Sequence, residues 1–250
     1  MPVAVVTGGS SGIGLAVARR LTARGVRCVL LARNPERLAR AAAELGAEHE
    51  VCDVGDREAV DRVAAVVTAR HPQIGLLVNN AGIPGRTGFL DATAERIEEV
   101  TDINYLGGVW CLRAFLPALE AARPSHLVNV VSVAGTVSGA GTSGLYTAAK
   151  HAQLAFSRSV AAELAPRGIA VHTILPGFVE TEGFPQRTVL PRVAHPFVMK
   201  ADDVADAVLK AVDRNRSEVH VPAYYRVATL VQALTPSIVA RVGGKMHKPA

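Results

Sequence analysis

Apolar positions along this 250-residue chain fall into two alternating kinds of segment. Short β-branched runs at Val3–Thr7, Arg27–Leu31, Glu48–Asp53, Ile74–Asn79, His126–Ser132, Ile169–Leu175 and Ser217–Val221 read as strands. Between them, Gly12–Arg24, Pro35–Leu45, Arg57–Arg70, Ala94–Ala121, Ser143–Ala165 and Ala201–Arg214 repeat apolar residues at helical spacing. Pro35, and Asp202 with Asp203, stand where first-turn residues are favoured. The rhythm predicts an α/β fold: a doubly wound, Rossmann-like sheet of about seven parallel strands with helices on both faces. Ligands of such sheets bind beyond the carboxyl ends of the strands, where strand order reverses.

Composition narrows the classes. At 49% apolar and 20% charged, with no linker, low-complexity tract or repeat, residues 1–250 are expected to form one domain. Val3–Val6 lacks the basic flank and length of a secretory signal, and no stretch has the roughly 18 apolar residues of a membrane span, so a soluble, cytoplasmic protein is expected. Cys28, Cys52 and Cys111 have no paired spacing, which predicts buried thiols and no metal site. The net charge of +5 comes from scattered residues without interleaved aromatics, which argues against a nucleic-acid partner.

The first strand runs into Thr7-Gly8-Gly9-Ser10-Ser11-Gly12-Ile13-Gly14 and then a helix. Glycines let backbone approach a pyrophosphate, and a helix N-terminus offers free N–H donors and partial positive charge. The second strand ends Leu31-Ala32-Arg33-Asn34. With a cation and no carboxylate there, a ribose 2′-phosphate is favoured over a free 2′-hydroxyl, hence NADP(H) with NAD(H) as the alternative. Asp53-Val54 and Asn79-Asn80-Ala81-Gly82 end the third and fourth strands at the same edge. Asp53 is a candidate acceptor for the adenine amino group, while the asparagines also suit a strand-closing turn.

Within Ser143-Gly144-Leu145-Tyr146-Thr147-Ala148-Ala149-Lys150, Tyr146 and Lys150 are four apart and share a helix face. An ammonium that stabilises phenolate makes a tyrosine a usable acid/base, although a bare pair of this kind also decorates solvated helix faces. Upstream, Asn129-Val130-Val131-Ser132 carries a hydroxyl to a strand end, where it can bond a substrate oxygen.

Taken in order, Thr7-Gly8-x3-Gly12-Ile13-Gly14, Asp53, Asn79-Asn80-Ala81-Gly82, Asn104, Ser132, Tyr146-x3-Lys150, Pro176-Gly177 and Thr181 resemble the short-chain dehydrogenase/reductase family over residues 3 to about 182. The resemblance implies that Tyr146 is the general acid in carbonyl reduction and the base in alcohol oxidation. It implies that Lys150 binds the nicotinamide ribose and lowers the Tyr146 pKa, that Ser132 holds the substrate oxygen, and that Asn104 positions a water behind Lys150. It places the cofactor on Gly8, Ser10, Ser11, Gly12, Ile13, Gly14, Arg33, Asp53, Val54, Asn80, Ala81, Gly82, Tyr146, Lys150, Pro176, Gly177, Val179 and Thr181. Two departures stand out. Ser132 precedes Tyr146 by 14 residues where 13 is usual, and Ser11 stands where some NADP(H)-dependent relatives have a basic residue.

Phe178–Lys200, with three prolines, resembles the family's substrate loop; Phe178 and Phe184, with Val189 and Phe197, suggest an apolar lining beside Ser132 and Tyr146 for a small carbonyl or alcohol. His195 is read as incidental. The apolar stripe Val227, Leu230, Val231, Leu234, Ile238 and Val239 predicts a C-terminal helical segment at about 224–242, broken near Pro236. It is expected to cover the pocket or meet another subunit; weak membrane association, aided by Arg226, Arg241, Lys245 and Lys248, is the disfavoured alternative. A homodimer or homotetramer through the long helices is expected from the resemblance. A regulatory protein that senses NADP(H) without turnover is the rival function, but it would need the phosphate turn and no proton relay. The short chain disfavours a nucleotide-sugar epimerase, and the Tyr–Lys spacing disfavours an enoyl reductase.

Overall fold

A computed structural model describes residues 3–85, 87–138 and 144–237. The main sheet takes β1 (Val3–Thr7), β2 (Arg27–Ala32), β3 (Glu48–Val51), β4 (Ile74–Asn79), β5 (Ser125–Val130), β6 (Ile169–Pro176) and, later in the chain, β9 (Glu218–Val221). All pair in parallel, in the order β3-β2-β1-β4-β5-β6-β9. The chain builds outward from β1 to β3, then returns to lay β4 against the other side of β1. The crevice between the β1 and β4 carboxyl ends is therefore the switch point.

Helices α1 (Gly12–Ala23), α2 (Pro35–Leu45), α3 (Arg57–Arg70), α4 (Ala94–Thr101), α5 (Gly107–Ala121), α6 (Gly144–Leu164) and α8 (Ala201–Asp213) cover both faces, with a single turn α7 (Gln186–Val189) before α8. Alternation within β1 divides the core: Ala4 and Val6 pack with α1, α2 and α8, whereas Val3 and Val5 pack with α3, α5 and α6. Local signals fix several helix ends. The Asn34 side chain accepts from the Arg37 N–H ahead of Pro35, and Asp56 accepts from the N–H groups of Glu58 and Ala59. Gly46, at φ 60°, closes α2 in the left-handed region.

Two expectations are corrected. The helix expected over Ala94–Ala121 is interrupted by a π-helical turn, Asp102–Leu106. The third and fifth strands stop at Val51 and Val130, so Asp53 and Ser132 lie beyond the sheet in the ligand crevice. Within the substrate-loop segment, β7 (Val179–Glu180) pairs with β8 (Met199–Lys200), closing it at its base. At the C-terminus, α9 (Tyr225–Leu234) ends before Pro236; Ile238, Val239, Arg241, Lys245 and Lys248 lie outside the described residues, as do 139–143 in the long interval between Ser132 and Tyr146. No described helix is long and apolar enough to cross a membrane.

A polar ladder crosses the apolar sheet just below the crevice. Asn79 Nδ2 donates to Asn129 Oδ1 at 3.1 Å and to the Gly108 carbonyl at 3.0 Å. Asn129 Nδ2 donates to Ser157 Oγ at 2.9 Å, and Ser157 Oγ lies 2.7 Å from Thr173 Oγ1. These four side chains are buried, so the ladder locks β4, β5, β6 and α6 in one register: a slip would strand polar groups away from water. Asn129→Leu is expected to destabilise the protein by about 1–3 kcal/mol, read as a lower denaturant midpoint with an unchanged slope; an unchanged midpoint would contradict this account.

Candidate active site

Beyond the β1 end, Gly8 and Gly12 have φ of 66° and 53°, conformations that favour glycine. A Cβ on Gly8 would stand 2.7 Å from Asn80 Nδ2, and one on Gly14 only 2.4 Å from the Gly8 carbonyl oxygen. Ser11 starts α1 without a side-chain cap, leaving the first-turn N–H groups free to face a ligand. This bare cradle fits a dinucleotide pyrophosphate.

The opposite wall is stapled to it. Thr7 Oγ1 accepts from the N–H groups of Asn80 and Ala81 at 2.9 and 3.0 Å, while Asn80 Nδ2 donates to the Thr7 carbonyl at 3.0 Å. Asn80 thus shapes the channel through its turn, and Asn79 belongs to the buried ladder.

The crevice opens into two cavities. One, of about 580 Å³, is lined by Gly8, Ser11, Gly12 and Ile13 on the glycine turn, by Asn80, Ala81 and Gly82, and by Ser132, Tyr146 and Lys150. Pro176, Gly177, Phe178, Val179, Thr181, Phe184 and Val189 complete its wall. Phe197, expected in this lining, instead packs edge-on against Tyr224, turned there by the 3-10 segment Arg192–Phe197. His195 bonds the Leu190 carbonyl at 3.1 Å, outside the cavity wall. Tyr225 and Ala228 of α9 also line the cavity, and the Tyr225 ring lies so close over Gly177 that a Cβ there would be 2.1 Å from Cε2. The C-terminal helix therefore covers the pocket, and the side chains of Val227, Leu230, Val231 and Leu234 point out, exposed.

The second cavity, of about 210 Å³, holds Ser10, Ser11, Arg33, Asn34, Asp53, Val54, Ala81 and Gly82. Asp53 Oδ1 accepts from the Gly55 N–H at 3.0 Å, and its other oxygen lies 3.8 Å from the Arg33 guanidinium. Of the expected cofactor residues, Gly14 alone packs inside the turn rather than facing either space.

Tyr146 and Lys150 do project from one face of α6, with the ammonium 5.7 Å from the phenol ring centroid. Lys150 is 3% exposed, and burial pushes it down to about 7. Its ammonium donates to Gln153 Oε1 at 2.8 Å and to the Val130 carbonyl at 3.3 Å. Burial drives Tyr146 up to about 12, partly offset by the adjacent Ser132 hydroxyl. Among these groups the phenol is a retained proton and the amine a titratable one. Ser132, extended at φ 172°, accepts from the Ala134 N–H at 3.1 Å.

The π turn carries Asn104 out of helical pattern. Its Oδ1 accepts from the Ile83 N–H at 2.9 Å and its Nδ2 donates to the Ile83 carbonyl at 3.0 Å. A Cβ on Gly82 would lie 2.8 Å from Asn104 Oδ1 and 3.8 Å from Lys150 Nζ, so the missing side chain leaves a gap between them. The structure therefore gathers Asn104, Ser132, Tyr146 and Lys150 at one edge of the sheet. Sequence reading missed Gln153, which resembles any polar residue on a helix, and Arg37 of the second cavity. Arg37 could have been found from its place one turn into the helix behind Arg33. The cysteines are buried and free, and the described residues hold no cluster that could bind a metal ion.

The family model for short chain dehydrogenase matches residues 2–188. The chain is 38% identical over 222 residues to 1-deoxy-11-beta-hydroxypentalenate dehydrogenase of Streptomyces avermitilis, covering 85% of this chain and 82% of that one. A short-chain dehydrogenase from Sphingobium yanoikuyae in complex with NADPH superposes with a TM-score of 0.80 at 31% identity, over 100% of this chain and 97% of the other. A short chain dehydrogenase/reductase from Burkholderia phymatum in complex with NAD gives 0.83 at 25% identity, over 94% of each chain. The chain belongs to the short-chain dehydrogenase/reductase family, oxidoreductases that use nicotinamide cofactors.

Proposed function

We propose that this protein is an NADP(H)-dependent oxidoreductase that interconverts a carbonyl and an alcohol, with Tyr146 as general acid/base. The convergence of Ser132, Tyr146 and Lys150 on one cavity, with Asn104 buried behind Gly82 on the Lys150 side, carries the reading. The nicotinamide supplies or takes the hydride when bound. The glycine turn holds the pyrophosphate, with Arg33 and Asn34 toward the adenosine ribose and Asp53 toward the adenine. Pro176, Gly177, Val179 and Thr181 face the nicotinamide end.

In reduction, Tyr146 Oη gives its proton to the substrate oxygen; in oxidation, it accepts one. Ser132 Oγ holds that oxygen and favours the charge developing on it. Lys150 binds the nicotinamide ribose, and its charge favours phenolate, offsetting the burial that raises Tyr146. After reduction the Tyr146 phenolate can regain its proton from Lys150, and a water on Asn104, reaching through the gap beside Gly82, can replace the proton that Lys150 gives up. Residues 1–250 act as one domain, with 178–200 as substrate loop. Val131, Val137, Phe178, Phe184, Leu190 and Tyr225 give the cavity an apolar wall, which favours an apolar substrate.

A cytoplasmic homodimer or homotetramer fits the exposed small residues Ala148, Ala155 and Ala162 along α6. The relay argues against a sensor without turnover.

Tyr146→Phe is expected to lower kcat by about 10²–10⁴-fold while NADPH affinity, measured by fluorescence titration, is largely retained; full activity in that variant against a panel of carbonyls would refute the reading. Screening the panel with NADPH and NADH should show preference for NADPH, and equal use would return NAD(H). Because burial lowers Lys150 to about 7, its charge is present below that pH and lost above it. The value of kcat/KM for NADPH, which reports free enzyme, should therefore fall as pH rises through about 7. A profile flat from pH 6 to 10 would remove Lys150 from this role.

A further inference from the structure

Both cations lining the smaller cavity are already engaged by carboxylates. Arg33 lies 3.8 Å from Asp53, and Arg37 donates to Glu182 Oε1 at 2.7 Å. Arg37 sits in the first turn of α2, whereas Glu182 lies 145 residues away in the segment proposed as substrate loop. Arg37 thus joins a cavity that Ser10, Ser11, Arg33, Asn34 and Asp53 also line to a residue outside its wall. Both side chains are substantially exposed, at 41% and 65%. Such an ion pair is weak and screened, so a stronger anion can take the guanidinium from it. A phosphate dianion that accepts two charge-assisted bonds is such an anion.

The far side of the bridge leads to the chemistry. Thr181, beside Glu182, packs on Gly12, where a Cβ would stand 3.1 Å from its Cβ. Its backbone exchanges hydrogen bonds with Phe184, and the Phe184 ring packs 5.9 Å from that of Tyr146. Glu182 therefore restrains both the cover of the phosphate turn and one wall of the substrate pocket.

We propose that Arg37 is a second cation for the 2′-phosphate of NADP(H), and that Glu182 competes with this phosphate for it, so that the 2′-phosphate frees the Glu182 end of the 178–200 segment from α2. The inference rests on the NADP(H) reading above and adds to it a residue and a coupling. Phosphate binding at Arg37 leaves Glu182 unpaired beside a dianion, which repels it outward. A cofactor without the 2′-phosphate leaves the Arg37–Glu182 bridge in place.

The test uses the full chain with 2′,5′-ADP and 5′-AMP as probes, which differ by that phosphate and carry no nicotinamide, and reads affinity by calorimetry. Wild-type protein is expected to prefer 2′,5′-ADP. Arg37→Met should weaken 2′,5′-ADP about tenfold, the effect of losing one charge-assisted contact, and leave 5′-AMP unchanged. Glu182→Gln should tighten 2′,5′-ADP. Hydrogen exchange over residues 178–200 should rise when 2′,5′-ADP binds wild-type protein, stay unchanged with 5′-AMP, and be already raised in Glu182→Gln without ligand. Equal wild-type affinity for the two probes would overturn the NADP(H) reading and this inference with it. A wild-type preference that survives Arg37→Met would leave the phosphate to Arg33 and overturn the inference alone. Loss of preference in Arg37→Met, with no effect of Glu182→Gln on affinity or exchange, would overturn the competition.

Discussion

An ammonium buried as deeply as that of Lys150 loses its hydration and must recover hydrogen bonds from the protein. No carboxylate among the described residues makes an ion pair with it; its contacts are the amide oxygen of Gln153 and the main-chain oxygen of Val130. Neither neutralises the charge, and the amine's affinity for a proton falls to match. A carboxylate partner would fix the charge but would also oppose phenolate on Tyr146. Carbonyl oxygens hold the nitrogen in place without that penalty. Much of the surrounding architecture follows from this need: the Val130 carbonyl stands at a strand end, Gln153 one turn along α6, and Gly82 leaves a gap toward Asn104.

Such placement is only as precise as the elements that carry it. Ser132, the Asn80 turn and the Pro176 turn extend from β5, β4 and β6, and the Asn79–Asn129–Ser157–Thr173 ladder prevents these strands and α6 from slipping past one another. A second tie, Thr7 to Asn80 and Ala81, fixes the glycine cradle against its opposite wall. The polar groups that hold the site are thus distinct from those proposed to react. The wall formed by the 178–200 segment and α9 is attached differently: the segment through a two-residue strand pair and one exposed ion pair, α9 through apolar contacts and the bonds of the Thr229 hydroxyl to Thr136 and His220. That contrast suits the proposed roles, a rigid proton relay facing an adaptable substrate wall.

Hydrophobic periodicity alone carried the order of the seven principal strands and the helices between them, because a residue facing a sheet or an apolar core is marked by its immediate spacing. The glycine turn, Ser132, and the Tyr146–Lys150 pair were also legible, since each depends on strand-loop-helix context or on a four-residue helical step. Asn104 was recognisable as a motif residue, but its setting was not. A continuous helix and one with a π turn share almost the same apolar pattern, and the difference lies in bonds to Ile83, about twenty residues away.

Arg37 and Glu182 show the limit most plainly. Each reads locally as an ordinary charged surface residue, and only the folding of the later segment across the cofactor edge brings them together. The same holds for α9: its apolar stripe specified a helix, while the packing of Tyr225 over Gly177 decided which side covers the pocket. The sequence by itself determined the layered α/β fold and the chemical types available at the strand ends, encoded by short-range spacing, and the order of its motifs carried the resemblance to the family. Tertiary structure decided which charges meet, how deeply Lys150 is buried and which wall closes the pocket, because these depend on contacts between residues far apart in the chain.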